Sequence, residues 1–287
     1  MLNPQIATLQ PGLYLIATPI GTARDITLRA LDILGSADVL VAEDTRSLRR
    51  LMEIHGIALG DRPLLSYHDH NGDKMRPRLM GLLAAGKSLA YGSEAGTPMV
   101  ADPGFDLARA ARDEGHAVVS APGPSAVVTA LTVGGLPTDR FFFNGFLPNS
   151  SGQRKSALTL LKDVPGTLVF YESPKRIAKM LRDAAEVLGP EREAAVCREL
   201  TKKFEEVIRA PLAELARICD ERTLKGEIVV LVDRAHSPSV SEEELTLMVK
   251  DALQNGSVRD VADQVAQKTG LPRRQVYQLA LGLEREE

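Results

Sequence analysis

Apolar and polar positions alternate along the first half of the chain in a repeating unit of short apolar run, polar cluster and amphipathic helix. Leu13-Tyr14-Leu15-Ile16-Ala17 reads as a buried strand and Thr18-Pro19-Ile20-Gly21-Thr22 as the loop after it. Asp25 or Thr27 then caps a helix with Leu28, Leu31, Ile33 and Leu34 inward. Val39 to Ala42 is the next strand, followed by Glu43-Asp44-Thr45-Arg46 and a helix through Leu48, Leu51, Met52 and Ile54. Leu64 to Tyr67, a helix from Lys74 to Ala85, the strand Leu89 to Tyr91, a helix from Phe105 to Glu114 and the strand Ala117 to Ser120 continue the pattern. Strands that alternate with helices in this way predict a mainly parallel sheet covered on both faces. The polar clusters after Ala17, Ala42, Tyr67, Tyr91 and Ser120 then fall on one sheet edge, where open α/β sheets bind ligands.

The stretch from Tyr91 to Gly104 is too long for an ordinary strand-to-helix connection, which takes about 2–6 residues. Its glycines allow close approach of a ligand, its prolines fix the chain, and Glu94 and Asp102 can accept hydrogen bonds.

From about residue 123 the pattern changes. Ser125 caps a helix of small residues, and Arg140 to Phe146 and Thr167 to Tyr171 read as strands. A helix has Pro174 in its first turn, Phe204 to Arg209 is strand-like, a helix begins at Pro211, and Ile228 to Val232 closes the region. Close strand neighbours predict a mixed sheet. His236 to Ser241 reads as a linker, and beyond it Ser257 caps a helix with Val258, Val261, Ala262 and Val265 inward. Pro272 starts another helix, with Arg273 and Arg274 at its beginning. The pair suits a helix-turn-helix offering arginines to phosphate, and equally a helical pair docked on the body. The expected fold class is therefore α/β, with an N-terminal domain over residues 1–122, a second α/β domain over 123–235 and a helical domain over 240–287.

Bulk composition narrows the chemistry only a little. The 287 residues are 44% hydrophobic and 25% charged, with a net charge of −3. That composition fits a globular chain and not a generally basic nucleic-acid coat. Cys197 and Cys219 form no CxxC pattern, and no leader or long apolar span is evident, so a cytoplasmic location without a membrane segment is expected. No GxGxxG follows the first strand and no GxxxxGK[ST] or GxSxG occurs, which removes the main support for dinucleotide, P-loop and hydrolase readings. His68-Asp69-His70 lacks a further spaced ligand, so no metal is expected.

Several motifs together identify a family. Thr18-Pro19-Ile20-Gly21-Thr22 with Asp25 to Leu31, Glu43-Asp44-Thr45-Arg46, Ala95-Gly96-Thr97-Pro98 with Asp102-Pro103-Gly104, and Pro122 to Ala126 resemble the ribosomal RNA small-subunit methyltransferase I family. The resemblance extends through Phe143 to Pro148, Tyr171-Glu172-Ser173-Pro174, Arg198 to Lys202 and Lys225-Gly226-Glu227. It implies the two-domain tetrapyrrole-methylase-like fold and S-adenosylmethionine-dependent methylation of a cytidine 2′-hydroxyl in the decoding region of 16S ribosomal RNA. It further implies a homodimer, with the small ribosomal subunit as partner and the cofactor between the two domains.

Carried over by position, the cofactor contacts are Pro19, Ile20, Gly21, Ala95, Gly96, Thr97, Ala101, Asp102, Ser125 and Ala126. Thr22, Glu94 and Ala101 depart from the family's usual Asn, Asp and Ser. A ribose hydroxyl must lose a proton as it attacks, and Glu43, Asp44, Glu172 and Lys202 at strand ends are the candidate bases. Local basic groups for RNA are Arg24, Arg46, Arg49, Arg50, Arg154, Lys155, Lys175, Arg176, Lys202 and Lys203. Two alternatives remain beside this reading: a tetrapyrrole-type small-molecule methylase, and a non-catalytic RNA-binding assembly factor.

Overall fold

A computed structural model describes residues 4–68, 70–99, 104–235, 242–254, 256–269 and 271–284. Residues 1–233 form one compact unit and 234–287 another.

The first unit begins with five strands, β1 (Gly12–Ile16), β2 (Val39–Ala42), β3 (Leu64–Ser66), β4 (Ser88–Gly92) and β5 (Val118–Ala121). They form one sheet in the order β3-β2-β4-β1-β5, and every pairing is parallel. The carboxyl ends of all five strands therefore share one edge, as the sequence pattern predicts. Helices α1 (Leu28–Ser36), α2 (Thr45–Ile54), α3 (Gly72–Ala84) and α4 (Phe105–Asp113) provide the connections. Strand alternation sorts the core into two layers. Tyr14, Ile16, Leu40 and Ala90 pack with α1 and α2, while Leu13, Leu15, Val41, Leu89 and Tyr91 pack with α3 and α4. Both faces are covered, which is why these strands read as unbroken apolar runs.

Local details correct several expectations. Of the two possible caps for α1, Thr27 is used: its Oγ1 accepts the Ala30 N–H at 3.2 Å. Leu28, at the first position of α1, is exposed, and Ala30 takes the buried place. Ile54, at the end of α2, is likewise exposed.

Helix α5 (Ala126–Val133) leads to the second sheet, made of β6 (Phe141–Phe146), β7 (Thr167–Glu172), β8 (Glu193–Arg198), β9 (Glu206–Pro211) and β10 (Ile228–Val232). The order is β6-β7-β10-β8-β9, with β6 and β7 parallel and the other pairs antiparallel, so the sheet is mixed as expected. Helices α6 (Ser151–Leu161), α7 (Ile177–Leu188) and α8 (Leu212–Asp220) cover one face through Leu158, Leu181 and Leu215. Ser125 stands at the start of α5, but its hydroxyl makes no capping bond; its carbonyl accepts the Thr129 N–H and hydroxyl instead. Pro174 does not start α7. The Ser173 carbonyl accepts both the Arg176 and Ile177 N–H groups, so residues 173–176 form a turn that precedes the helix. A similar turn at residues 199–205 delays β9 to Glu206 and leaves Phe204 exposed.

The second unit contains α9 (Glu242–Leu253), α10 (Val258–Thr269) and α11 (Arg273–Glu284), one helix more than the sequence pattern predicts. Their shared core is Leu245, Val249, Val258, Val261, Val265, Val276 and Ala280. Ser257 caps α10 through a reciprocal contact: its Oγ accepts the Asp260 N–H and donates to Asp260 Oδ2. Arg273, at the start of α11, is paired with Asp263 of α10.

Candidate functional site

The site grows from the carboxyl edge of the parallel sheet. Where β1 ends, Thr18 forms a two-way bridge with Gly96 from the loop after β4, each N–H donating to the other's carbonyl at 3.0 Å. Buried Ser93 reinforces the junction: its Oγ donates to the Gly96 carbonyl at 2.5 Å, and Thr18 Oγ1 donates to the Ser93 carbonyl at 3.1 Å. Thr97 Oγ1 donates to the Pro124 carbonyl at 2.9 Å, adding the loop after β5. Three strand-end loops are thus joined through main-chain atoms and short hydroxyl side chains.

The mixed sheet supplies the facing wall. Antiparallel pairing sets Ile228 opposite both Glu172 and Arg198, so the end of β7, the start of β10 and the end of β8 come together. Between this wall and the loops lies a cavity of about 510 Å³, within the usual range for a small-molecule site. Ile20, Ala95, Thr97, Ser125 and Ala126 line it from the loop side, and Tyr171, Glu172, Cys197, Gly226 and Val229 from the mixed sheet. A second cavity of about 570 Å³ is lined by Pro19, Gly21, Asp44, Arg46, Arg50 and Ser93, among others. Glu94 lines both.

The seam between the two halves is tight. Gly21 packs on the turn after β8, where a Cβ would come within 2.4 Å of Thr201 Oγ1 and 2.6 Å of Lys202 Cγ. The Thr22 N–H donates to Thr201 Oγ1 across the same seam. Within this turn Glu199 and Thr201 both have positive φ, 51° and 63°, a sparsely populated conformation for residues with side chains. Gly226, at φ 91°, lies so close to Glu199 that an added Cβ would be 2.3 Å from its carboxyl carbon.

The expected site residues divide accordingly. Five of the ten cofactor positions line the first cavity, Pro19 and Gly21 line the second, and Gly96 makes the bridge to Thr18. Ala101 and Asp102 lie outside the described residues. Among the candidate bases, Glu43 and Glu172 line the first cavity and Asp44 the second. Asp44 accepts the Arg46 N–H at the start of α2, and the Arg46 guanidinium beside it holds its carboxyl below the usual range. Burial opposes the charge of Lys202, but Glu199 and Glu227, at 2.9 and 3.0 Å from Nζ, outweigh it and hold the ammonium above its ordinary pKa. An uncharged Lys202 base is therefore disfavoured. Burial raises the Glu172 carboxyl despite a hydrogen bond from the Ser173 N–H and the nearby Arg176 and Arg154.

The basic candidates also separate. Arg154 is buried and paired with Asp183 at 2.6 Å, Lys155 with Glu186, and Arg176 binds Asn149 and the Leu147 carbonyl. These residues shape the second half of the unit rather than a phosphate surface. Arg24, Arg46, Arg49, Arg50, Lys175 and Lys203 are exposed. The His68 N–H donates to Asn71 Oδ1, which fixes the turn before α3; Asp69 lies outside the described residues. Sequence reasoning did not single out Tyr171, Cys197 or Val229 as lining residues. Burial pushes the Cys197 thiol up to about 12, with Glu205 adding to the effect, so it acts as an apolar wall.

A family model described as Tetrapyrrole (Corrin/Porphyrin) Methylases matches residues 12–216, and one described as RsmI C-terminal HTH domain matches 239–284. A relative from Mesorhizobium japonicum, named Ribosomal RNA small subunit methyltransferase I, is 45% identical over 96% of this chain and 93% of its own length. One of the same name from Xylella fastidiosa is 43% identical, covering 93% of this chain and 98% of the relative. Among solved structures, uroporphyrin-III C-methyltransferase from Thermus thermophilus, complexed with S-adenosylhomocysteine, superposes with a TM-score of 0.55. It is 20% identical and covers 78% of this chain and 98% of that one, a likeness of fold. With a backbone-built cavity at a parallel sheet edge, a facing mixed sheet and these relatives, the chain belongs to the ribosomal RNA small subunit methyltransferase I family, a family of methyltransferases on the tetrapyrrole methylase fold.

Proposed function

We propose that the protein uses S-adenosylmethionine to methylate the 2′-hydroxyl of a cytidine in the decoding region of 16S ribosomal RNA, in the cytoplasm and as a homodimer. The observation that carries this reading is the first cavity, between the strand-end loops and the mixed sheet, which gathers Ile20, Ala95, Thr97, Ser125 and Ala126 from separate strand-end loops against one wall. Its donor set fits the cofactor. Main-chain groups and hydroxyls suit a ligand rich in amino and hydroxyl groups, and the buried Glu172 Oε2 has no hydrogen-bond partner within the protein. Pro19, Gly21 and Gly96 would complete the cradle, with Ala101 and Asp102 as further contacts. When bound, the cofactor supplies an activated methyl group.

The chain's own task is placement. Holding an acceptor hydroxyl in line with the methyl group can remove about 7–11 kcal/mol of barrier. The second cavity, next to Glu94, suits the acceptor ribose, with Arg46 and Arg50 in reach of neighbouring phosphates. The adjacent positions Glu43 and Asp44 line different cavities, which puts the end of β2 at their boundary. Of the four candidate bases Glu43 fits best, because it stands at that boundary, Arg46 weakens Asp44 as a base, Lys202 is held protonated, and Glu172 belongs to the facing wall at the end of β7. Glu43→Gln is expected to slow single-turnover methylation by about 100-fold or more, the usual scale for a lost general base, while cofactor affinity changes far less. An unchanged rate would remove Glu43 from that role.

Incubation with small ribosomal subunits and methyl-labelled cofactor, followed by mass mapping, tests the whole reading. The expected result is one label on the ribose of one cytidine. Label on a base, or none on RNA, overturns it. Light scattering tests the dimer, with twice the chain mass expected.

A further inference from the structure

Four carboxylates line the first cavity, the one between the strand-end loops and the mixed sheet: Glu43, Glu94, Glu172 and Glu227. No lysine, arginine or histidine appears among its described lining residues. The four differ in surroundings. Glu94 and Glu227 are exposed and Glu43 is half-buried, so water and salt screen them. Glu172 is only 3% exposed. Its Oε1 accepts the Ser173 N–H at 2.7 Å and faces Arg176 Nε at 3.2 Å, whereas its Oε2 is buried with no hydrogen-bond partner in the protein. An acceptor left in that condition costs stability until a ligand donates to it.

Resting on the cofactor reading above, we propose that Glu172 is a specificity-determining residue for ligand charge. Its Oε2 accepts a hydrogen bond from the cofactor, and its negative charge makes the cavity hold the cationic methyl donor more tightly than the neutral thioether left after transfer. In the transfer the sulfur–methyl bond breaks with its electron pair remaining on sulfur, a methyl–oxygen bond forms, and the hydroxyl proton leaves to a base or to water. The ligand loses one positive charge while the wall keeps its negative ones. Methyl transfer itself thereby loosens the product, and Glu43, Glu94 and Glu227 add a weaker, screened part of the same field.

Isothermal titration of the full chain with S-adenosylmethionine, S-adenosylhomocysteine and sinefungin tests this. Sinefungin carries an amine cation near the place of the sulfonium. At low salt, both cationic ligands are expected to bind about tenfold or more tighter than S-adenosylhomocysteine, the scale of a hydrogen bond to a charged group. In Glu172→Gln that ratio is expected to fall to about threefold or less. A role confined to holding the fold would weaken all three ligands together and leave the ratio intact. Should the variant not fold, salt decides on the wild type: a buried charge is screened far less than an exposed one, so the ratio should largely survive added salt. Equal affinity for the three ligands, a ratio unchanged in the variant, or a ratio that vanishes in high salt would overturn the charge proposal while leaving the cofactor reading in place. Failure of every ligand to bind overturns both.

Discussion

The two sheets of the first unit build their sides of the cavity in opposite ways. The parallel sheet contributes backbone: Thr18, Gly96 and Pro124 meet through carbonyls, N–H groups and short hydroxyl side chains. The mixed sheet contributes side chains, with Tyr171, Glu172, Cys197 and Val229 forming a wall whose polarity rests mainly on one buried carboxylate. A site made of main chain tolerates changes of side chain and fails when the loops shift. A wall made of side chains keeps its position and changes character with each substitution.

The largest expected effect breaks the support of the mixed sheet. Asp183 holds buried Arg154 and receives the Ser151 hydroxyl, so Asp183→Ala leaves an uncompensated buried guanidinium. A loss of about 3–5 kcal/mol is expected, measured by urea unfolding. Gly21→Ala strikes the backbone side at the seam, where its Cβ would overlap Thr201 and Lys202. Overpacking of this kind costs about 1–3 kcal/mol. Because the strand-end loops would shift together, titration should show weaker binding of charged and neutral cofactor forms alike, in contrast to Glu172→Gln.

Glu172 gives a smaller, pH-dependent effect. Burial raises its carboxyl, so the folded state holds the proton more tightly than the unfolded chain. Its contribution is then most favourable at low pH and declines as pH rises from the ordinary carboxylate range through the raised value. Glu172→Gln is expected to raise the ligand-free Tm at neutral pH and to flatten that decline in thermal scans. The smallest effect on stability belongs to Arg46→Ala on the exposed rim of the second cavity. Its Tm should match the wild type, while affinity for the small ribosomal subunit falls and becomes less dependent on salt.

These contrasts also explain how much of the molecule was legible in its sequence. Buried parallel strands such as Leu13 to Ile16 are apolar on both faces and end abruptly in polar loops, so the sheet edge and its loops stand out as a pattern. The facing wall has no such signature. Ile228 meets Glu172 and Arg198 only through non-local antiparallel pairing, which leaves Tyr171, Cys197 and Val229 looking like ordinary core residues until the sheet is assembled. Arg154 beside Lys155 reads as a basic patch because nothing nearby in sequence announces Asp183, which comes from α7. The sequence pattern assigns no helix at α9, whose inward residues Leu245 and Val249, one turn apart, follow an acidic run and offer only a short apolar signal.

The Thr18–Gly96 bridge has a consequence that hydrogen exchange can reveal. Two amides from distant parts of the sequence each depend on the other's carbonyl, so neither can open to solvent without weakening the hold on its partner. Their deuterium uptake should follow a common rate, and occupation of the cavity should slow both together.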